Sequence, residues 1–311
     1  MENSLTSRFS LDLRAIGVFR IALGFICSIF FASRIPNAEV FYSNEGLLPL
    51  DLRILDLRLG ESRGTEGLWS ILFLGDSTEL ALFVLILGLL SSICLSIGYK
   101  SSVTVVICWI LVASVRARQP YASDGGDALL KVVLFWSMFL PLAGRLSVDS
   151  FYKRVANDFR GNLLFSTATV VFTLQILIIY IFAAIIKFGP SWRIDLVAVS
   201  EALRIQMITT HFADKVVDLF ADKKFLTFLV LKCEEFAPAL TIMFSVKSRW
   251  RAIGPAMMII LHLGIASCFT FGIFPWVAIA IWVIFLPEPF WNWIGLERGR
   301  SNPGEMIGGR P

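Results

Sequence analysis

The 311-residue sequence contains little charge and few of the side chains that bind metals. Only 17% of its residues are charged, whereas soluble proteins average about 25%. It has five cysteines but no CxxC pair, and its two histidines are too few to complete a typical zinc site with them. We therefore expect no metal site and interpret the cysteines as small buried hydrophobic residues. No block of basic residues indicates nucleic-acid binding.

Long apolar runs are abundant, and 56% of the residues are hydrophobic. A helix of about 20 apolar residues crosses a bilayer, so the sequence predicts an all-α, polytopic transmembrane helical bundle. The charge-free run 252–287 is too long for one crossing, and Gly272 and Pro275 are expected to break it. About eight spans result, near residues 14–33, 79–98, 101–117, 128–144, 163–187, 225–245, 252–271 and 276–288.

Residues 1–295 are predicted to form one membrane domain, and residues 296–311 a short, disordered polar tail. Long loops cover residues 35–78 and 188–224. In the second loop apolar residues recur near helical spacing, which predicts an amphipathic helix on the outer side of the membrane.

The distribution of lysine and arginine predicts the orientation. If the N-terminus is cytoplasmic, the cytoplasmic segments carry thirteen such residues and the short outer loops carry two. The positive-inside rule then places both termini in the cytoplasm and both long loops outside. The predicted location is the cell (cytoplasmic) membrane, with Lys187 near the outer leaflet.

The fifth predicted span carries a stripe of polar residues. Ser166, Thr173, Tyr180 and Lys187 are spaced by seven and lie near one side of the helix. That side is expected to face protein or water rather than lipid. Lys187 has two readings: an interfacial anchor of the helix, or a general base, because desolvation disfavours a charged ammonium.

Charges in the sixth predicted span need partners, since a charge at the centre of a membrane helix costs about 2.5–3.5 kcal/mol. Lys232 and Glu235 are three residues apart and share a helix face, so they are placed to neutralise each other. Glu234 points elsewhere and needs a partner from another helix. Pro238 loosens the helix nearby. A structural ion pair and a carboxylate facing a substrate cavity both remain open.

Two further polar residues lie inside spans. His262 is near the middle of the seventh span, where it is either a hydrogen-bonded core residue or a functional group. Gly264 and Ala266 nearby permit close helix packing. Arg20 in the first span either extends its side chain to the inner surface or pairs with an acid on another helix.

Several segments, taken in order, resemble the HTTM domain, the membrane domain of vitamin K-dependent gamma-glutamyl carboxylase and of many bacterial proteins. The resemblance covers roughly residues 8–295. It is carried by the segments SLDLRAIGVFRIALG, EVFYSNEGLLP, GGDALLKVVLFWSMFLPLAGRLSVD, LQILIIYIFAAIIKFGPSW and HLGIASCFTFGIFPWVAIAIWVIFLP.

The resemblance implies catalytic roles for Lys187, His262 and Tyr180. In the carboxylase, the lysine at the position of Lys187 is the base that deprotonates reduced vitamin K, and a tyrosine precedes it by seven residues as Tyr180 does here. The matching histidine is His262. The expected substrate-binding residues are Asp127, Glu235, Arg20 and Trp192. Of these, the resemblance matches Trp192 directly, and it places Asp127 near the position of a carboxylase histidine.

The chain departs from the carboxylase in three ways. Ile186 stands where the carboxylase has the first of two consecutive lysines, and the outer loop reads SDGGD where the carboxylase has an Asn-Asn-His stretch. The sequence also lacks the large extramembrane domain that holds the carboxylase's protein substrate. These differences indicate the bacterial branch of the family.

Three functions follow as hypotheses. The first is a membrane enzyme acting on a quinol or other apolar substrate, or modifying a secreted peptide, with a reduced quinone such as vitamin K hydroquinone as the cofactor implied by resemblance. The second is a non-catalytic membrane protein that binds a lipid, a peptide or a partner in maturation or immunity. The third is a small transporter, against which the lack of an internal repeat argues. Membrane lipid is the expected partner in each.

Overall fold

The computed structural model describes residues 4–59, 69–152, 161–219 and 224–296, and most of them are helical. The helices are α1 (Ser4–Phe9), α2 (Leu13–Ala32), α3 (Ala38–Tyr42), α4 (Leu50–Leu59), α5 (Thr78–Ile97), α6 (Ser101–Arg118), α7 (Gly125–Ser137), α8 (Val148–Tyr152), α9 (Thr167–Ile186), α10 (Pro190–Arg193), α11 (Ala198–Ala202), α12 (His211–Leu219), α13 (Lys224–Met243), α14 (Ile253–Cys268), α15 (Phe274–Val283) and α16 (Glu288–Ile294).

The bundle contains several helices that are long and apolar enough to cross a membrane. Within the described ranges there are five such segments, or six if the bent pair α15 and α16, which meet at 96°, forms one span. The five are Leu13–Tyr42, Thr78–Ile97, Ser101–Arg118, Thr167–Ile186 and Arg249–Cys268. The prediction of a helical membrane bundle is therefore confirmed.

The count of eight spans stays a prediction. Each predicted span contains one main helix, but two of these helices are short. α7 has 13 residues and ends at Ser137 rather than near residue 144. α15 has 10 residues. At about 1.5 Å per residue both fall short of a hydrocarbon core about 30 Å thick.

The predicted break in the run 252–287 is present. α14 ends at Cys268 and α15 begins at Phe274. Between them Gly272 has a φ of 53°, in the left-handed region that glycine adopts easily. Pro275 occupies the first turn of α15, where its missing N–H costs nothing. The two helices pack against each other as a hairpin.

The second long loop, predicted to carry one amphipathic helix, contains two shorter helices within the described residues, α11 and α12. α11 and α12 are separate, and a turn between them brings Thr209 into an antiparallel bridge with Phe269 after α14. Ala213 on α12 packs with Leu203 and Cys268 in a small apolar cluster. The apolar face of α12 therefore covers the end of α14. Residues 220–223 and nearly all of the predicted tail, 297–311, lie outside the described residues.

Close packing of the helices fixes the positions of the polar groups. α2 lies against α5 at Gly24, where an added Cβ would come within 2.4 Å of the Ser96 nitrogen. A short antiparallel pairing of β1 (Leu11–Asp12) with β2 (Leu163–Leu164) joins the start of α2 to the start of α9. α9 packs on α13, α13 on α14, and α14 on α15. This order places the polar side of α9 against α13, α14 and α15.

Candidate functional site

The polar stripe of α9 faces protein, as predicted. Ser166 caps the start of the helix in a reciprocal capping box with Thr169. Thr173 is fully buried, and its hydroxyl donates to the Thr169 carbonyl at 2.7 Å. Tyr180 is also buried, and Lys187 caps the end of the helix with its side chain partly covered. The stripe thus runs from a capped helix N-terminus at Ser166 to a charged side chain at the helix C-terminus, Lys187.

Tyr180 lies in a buried group of aromatic and polar side chains. Its hydroxyl is 3.4 Å from His262 Nε2, and His262 Nδ1 is 2.7 Å from the Met258 carbonyl oxygen. If Nδ1 carries the proton, Nε2 is left as the acceptor for the tyrosine hydroxyl. The Trp282 ring is 5.0 Å from the Tyr180 ring, and the Phe274 ring is 5.8 Å from that of His262.

Lys187 forms an ion pair with Glu234 of α13. Its Nζ lies 2.6 Å from Glu234 Oε2 and also donates to the Ala183 carbonyl at 3.1 Å. The Trp192 ring centroid is 5.3 Å from Nζ, within cation–π distance. Pro238 has no N–H to offer the Glu234 carbonyl four residues earlier, so α13 is loosened where this pair forms. The Glu234 side chain is thus held by Lys187, a residue of another helix.

Glu235 connects a second set of charges to the same place. It pairs with Lys232 at 2.6 Å, as their spacing predicted, and with Arg193 of α10. Arg193 also donates to the Lys187 carbonyl at 3.0 Å and to the Ala184 carbonyl at 2.8 Å. Arg193 therefore ties the end of α9 to α13.

The ion pair and the buried aromatic group lie on the same side of α9, about 10 Å apart along the helix. The Glu234 carboxylate is within electrostatic range of the Tyr180 hydroxyl. We call the five residues Lys187, Glu234, Tyr180, His262 and Trp282 the central polar cluster. Its Trp282 is buried and interacts with the Tyr180 hydroxyl as well as with the Tyr180 ring. The cluster therefore combines a partly exposed charge pair with a buried aromatic interior.

Asp127 lies in a separate pair near the cluster. Its Oδ2 is 2.5 Å from Arg34 Nη2, and its N–H donates to Asp124 at the start of α7. An added Cβ on the adjacent Gly126 would meet the Phe274 nitrogen at 2.6 Å. Asp127 therefore approaches the side of the bundle where Phe274 contacts the histidine, but the described contacts include no hydrogen bond or ion pair from it to Lys187.

Arg20 is held by backbone carbonyls, and the Asp149 carboxylate is close enough to interact electrostatically with its guanidinium. It is fully buried, and its guanidinium donates to the carbonyls of Leu95 at 3.0 Å and Ser96 at 2.8 Å and to that of Leu146. The last carbonyls of a helix lack intrahelical partners and carry partial negative charge, so they suit a cation. Arg20 thus caps the end of α5, and the contacts described for it do not include the central polar cluster.

Sequence reasoning missed some of the partners in these pairs. Glu234 was recognised as needing a partner, but nothing in the sequence identified Lys187, 47 residues away. Arg193 lies in the segment 188–224 that the sequence predicted as a long loop, and neither it nor Arg34 was singled out. A search of the described ranges for three or more close His, Cys, Asp or Glu side chains finds no metal-binding group.

The donors of the central polar cluster fit an aromatic molecule that carries oxygen acceptors. The Tyr180 hydroxyl and the Trp282 indole beside it would suit such oxygens, and Lys187 would suit an acidic hydroxyl. A reduced quinone has these features.

Comparison with known families gives one match. The family model described as HTTM domain matches residues 71–291, which is more than two thirds of the chain. No curated protein and no solved structure matches the chain.

Proposed function

The chain belongs to the HTTM domain family, and from that premise we propose that it is a membrane enzyme in which Lys187 accepts a proton from an apolar, hydroxyl-bearing substrate such as a quinol. The observation that carries the proposal is the Lys187–Glu234 pair, 2.6 Å long, on the same side of α9 as the buried Tyr180–His262 pair and two helical turns from it. With the N-terminus in the cytoplasm, this site lies toward the outer leaflet.

Glu234 gives Lys187 a way to become a base. A protonated lysine has no lone pair with which to accept a proton. Lys187 must therefore first pass a proton to the Glu234 carboxylate across their hydrogen bond. The neutral amine can then accept the proton of a substrate hydroxyl. In a medium of low dielectric a neutral amine and carboxylic acid replace two charges, which lowers the cost of this transfer.

The buried members of the cluster would position the substrate. Tyr180 is oriented by His262, which is itself held by the Met258 carbonyl. Trp282, which interacts with the Tyr180 hydroxyl and packs on its ring, would help to hold the tyrosine in place. Donors fixed in a water-excluded site stabilise developing negative charge more than they would in water.

Access from lipid is consistent with an apolar substrate. Phe182 and Ile186 on α9 and Phe236 on α13 are exposed large hydrophobic residues flanking the charge pair. In a membrane such side chains contact acyl chains, and a lipid-soluble molecule reaches the pair without crossing water.

The test combines lipid analysis with activity. The purified full chain is extracted, its bound lipids are identified by mass spectrometry, and oxidation of added quinol by dissolved oxygen is followed for the wild type, Lys187→Ala and Lys187→Arg. We expect a co-purified quinone and about a 100-fold or greater loss of turnover in both variants, typical of a lost general base. The control is Lys100→Ala, which removes an exposed lysine after α5.

The absence of both a bound quinone and any effect of Lys187→Ala on quinol turnover would contradict the proposal. The competing function is a non-catalytic binding protein in which the same ion pairs hold α9 to α13. The network of Arg193, Glu235 and Lys232 around the pair favours this alternative. It predicts that Lys187→Arg, which keeps the charge but cannot act as a base, retains function.

A further inference from the structure

Five charged side chains lie together where the end of α9 meets α13, and we call them the charged network. Lys187 pairs with Glu234, and Glu235 pairs with both Arg193 and Lys232. Three cations thus share two carboxylates. Within the described residues no further carboxylate lies within ion-pair distance of these cations. One positive charge of the network is therefore left without a counter-charge.

Lys232 and Arg193 still have N–H groups to offer. The Lys232 ammonium carries three N–H donors, and its one described hydrogen bond goes to Glu235 at 2.6 Å. The Arg193 guanidinium carries five, of which three are used, by Glu235 and by the carbonyls of Lys187 and Ala184. Each of the two side chains is 37% exposed. Their remaining donors can therefore reach a molecule outside the protein.

The two cations are also held side by side. Arg193 bonds to Oε1 of the Glu235 carboxylate, and Lys232 bonds to Oε2 of the same group. Two cations on the two oxygens of one carboxylate are close enough to donate to different oxygens of one phosphate group. The pair therefore forms a bridging site for an anion rather than two isolated charges.

The length of α9 places the charged network at the level of the lipid headgroups. α9 has 20 residues, which is about 30 Å and equals the thickness of a hydrocarbon core. A helix of this length that crosses the core once ends where the headgroups begin. Lys187 caps that end, and both Glu234 and Arg193 bond to Lys187. The network therefore lies beside phosphate groups of the bilayer.

Exposed apolar side chains lie next to the cations. Lys232 Nζ is 5.7 Å from the ring centroids of Phe228 and Phe236, which lie one turn before and one turn after it on α13. Both rings are exposed, as is Ile186 at the end of α9. In a membrane such side chains contact acyl chains. This side of the bundle therefore offers a cationic site with an apolar flank.

From these observations we propose that Lys232 and Arg193 bind the phosphate headgroup of an anionic phospholipid whose acyl chains lie along Phe236 and Ile186. Ammonium and guanidinium groups form strong, charge-assisted hydrogen bonds with phosphate oxygens. A lipid of net negative charge supplies the counter-charge that the network lacks, whereas a zwitterionic lipid does not. Neither cation belongs to the central polar cluster, so the site does not depend on Lys187 acting as a base.

The test measures which lipid the purified full chain retains. The protein is placed in nanodiscs of equal parts phosphatidylcholine and phosphatidylglycerol, and native mass spectrometry identifies the lipid that stays bound on release. Because two basic residues contact the headgroup, we expect phosphatidylglycerol to be retained at least about tenfold more often than phosphatidylcholine.

Three variants locate the site. Lys232→Gln removes one ligand and leaves Glu235 paired with Arg193, so the protein should fold while the preference falls about fivefold. Lys232→Arg keeps the charge and the donors and should stay within about twofold of the wild type. Lys215→Gln is the control, because it removes an exposed lysine of α12 that makes no described contact with the network. Its preference should also stay within about twofold.

Equal retention of the two lipids by the wild type would overturn the proposal. So would an equal loss in Lys232→Gln and Lys215→Gln, because the attraction would then come from diffuse surface charge. A glutamate-rich peptide is titrated in lipid-free detergent as a competing occupant. Binding of this peptide that requires Lys232, without selective retention of phosphatidylglycerol, would show that the site docks an acidic segment and not a lipid.

Discussion

Lys187 Nζ and Glu234 Oε2 lie 2.6 Å apart, although the two residues are 47 positions apart in the chain. The lysine caps α9, and the glutamate lies midway along α13. Both side chains are mostly covered, with relative exposures of 19% and 12%. The pair therefore joins the end of α9 to the middle of α13.

Removing one member of this pair should be more harmful than removing both. Lys187→Ala leaves the Glu234 carboxylate partly buried and without its main partner, and should lower stability by about 3 kcal/mol. The double variant Lys187→Ala with Glu234→Gln should recover part of that loss. Thermal unfolding in detergent of the two single variants and the double variant measures the coupling. Simple additivity would show that the two groups do not interact energetically.

Tyr180→Phe should have a smaller effect on stability. It removes the hydroxyl that approaches His262 at 3.4 Å and keeps the ring packed 5.0 Å from that of Trp282. A net hydrogen bond contributes about 1 kcal/mol, and this one is long. Melting temperature is compared with that of Tyr152→Phe, in which an exposed tyrosine loses its hydroxyl. A loss of about 3 kcal/mol or more would indicate a wider polar network than the described contacts.

Gly98→Ala should destabilise the protein by about 2 kcal/mol or more, since it combines backbone strain with a clash. Gly98 has a φ of 78°, and an added Cβ would come within 2.3 Å of Arg20 Nη1. Gly264→Ala is the matched control, because Gly264 is within α14 and an added Cβ meets nothing within 4 Å. Equal melting temperatures for the two variants would contradict the packing described around Arg20.

Asp127→Ala should destabilise the fold because it leaves Arg34 without its carboxylate. The pair is 2.5 Å long and the aspartate is 2% exposed. A loss of about 3 kcal/mol is expected, whereas the double variant Asp127→Leu with Arg34→Met should lie closer to the wild type. Denaturation curves of these variants provide the measurement. A stable Asp127→Ala that has lost substrate binding would instead favour the substrate-binding role implied by resemblance.

Local features of the fold were predictable from the sequence. The stripe from Ser166 to Lys187 follows helical spacing, so its direction toward protein could be inferred from residue types alone. Gly272 and Pro275 break the long apolar run for reasons that act within a few residues. The Lys232–Glu235 pair is three residues apart on one helix and needs no tertiary information.

Contacts between helices were not predictable in the same way. The partner of Glu234 and the caps formed by Arg20 depend on which helices become neighbours and at what height. Hydrophobic periodicity does not encode this, because in lipid every apolar face is compatible with acyl chains. Apolar residues continue near helical spacing through the turn that separates α11 from α12. The sequence therefore predicted one longer amphipathic helix there.

The buried position of Arg20 has a consequence for how the chain enters the membrane. Its carbonyl partners at Leu95, Ser96 and Leu146 are synthesised 75, 76 and 126 residues later. Until then α2 carries a guanidinium with no counterpart, at a cost of about 2.5–3.5 kcal/mol in the bilayer. We therefore expect α2 to reach its final depth only after α5 and the segment that contains Leu146 have followed it. A joint insertion of these segments, rather than a sequence of independent crossings, is the expected route.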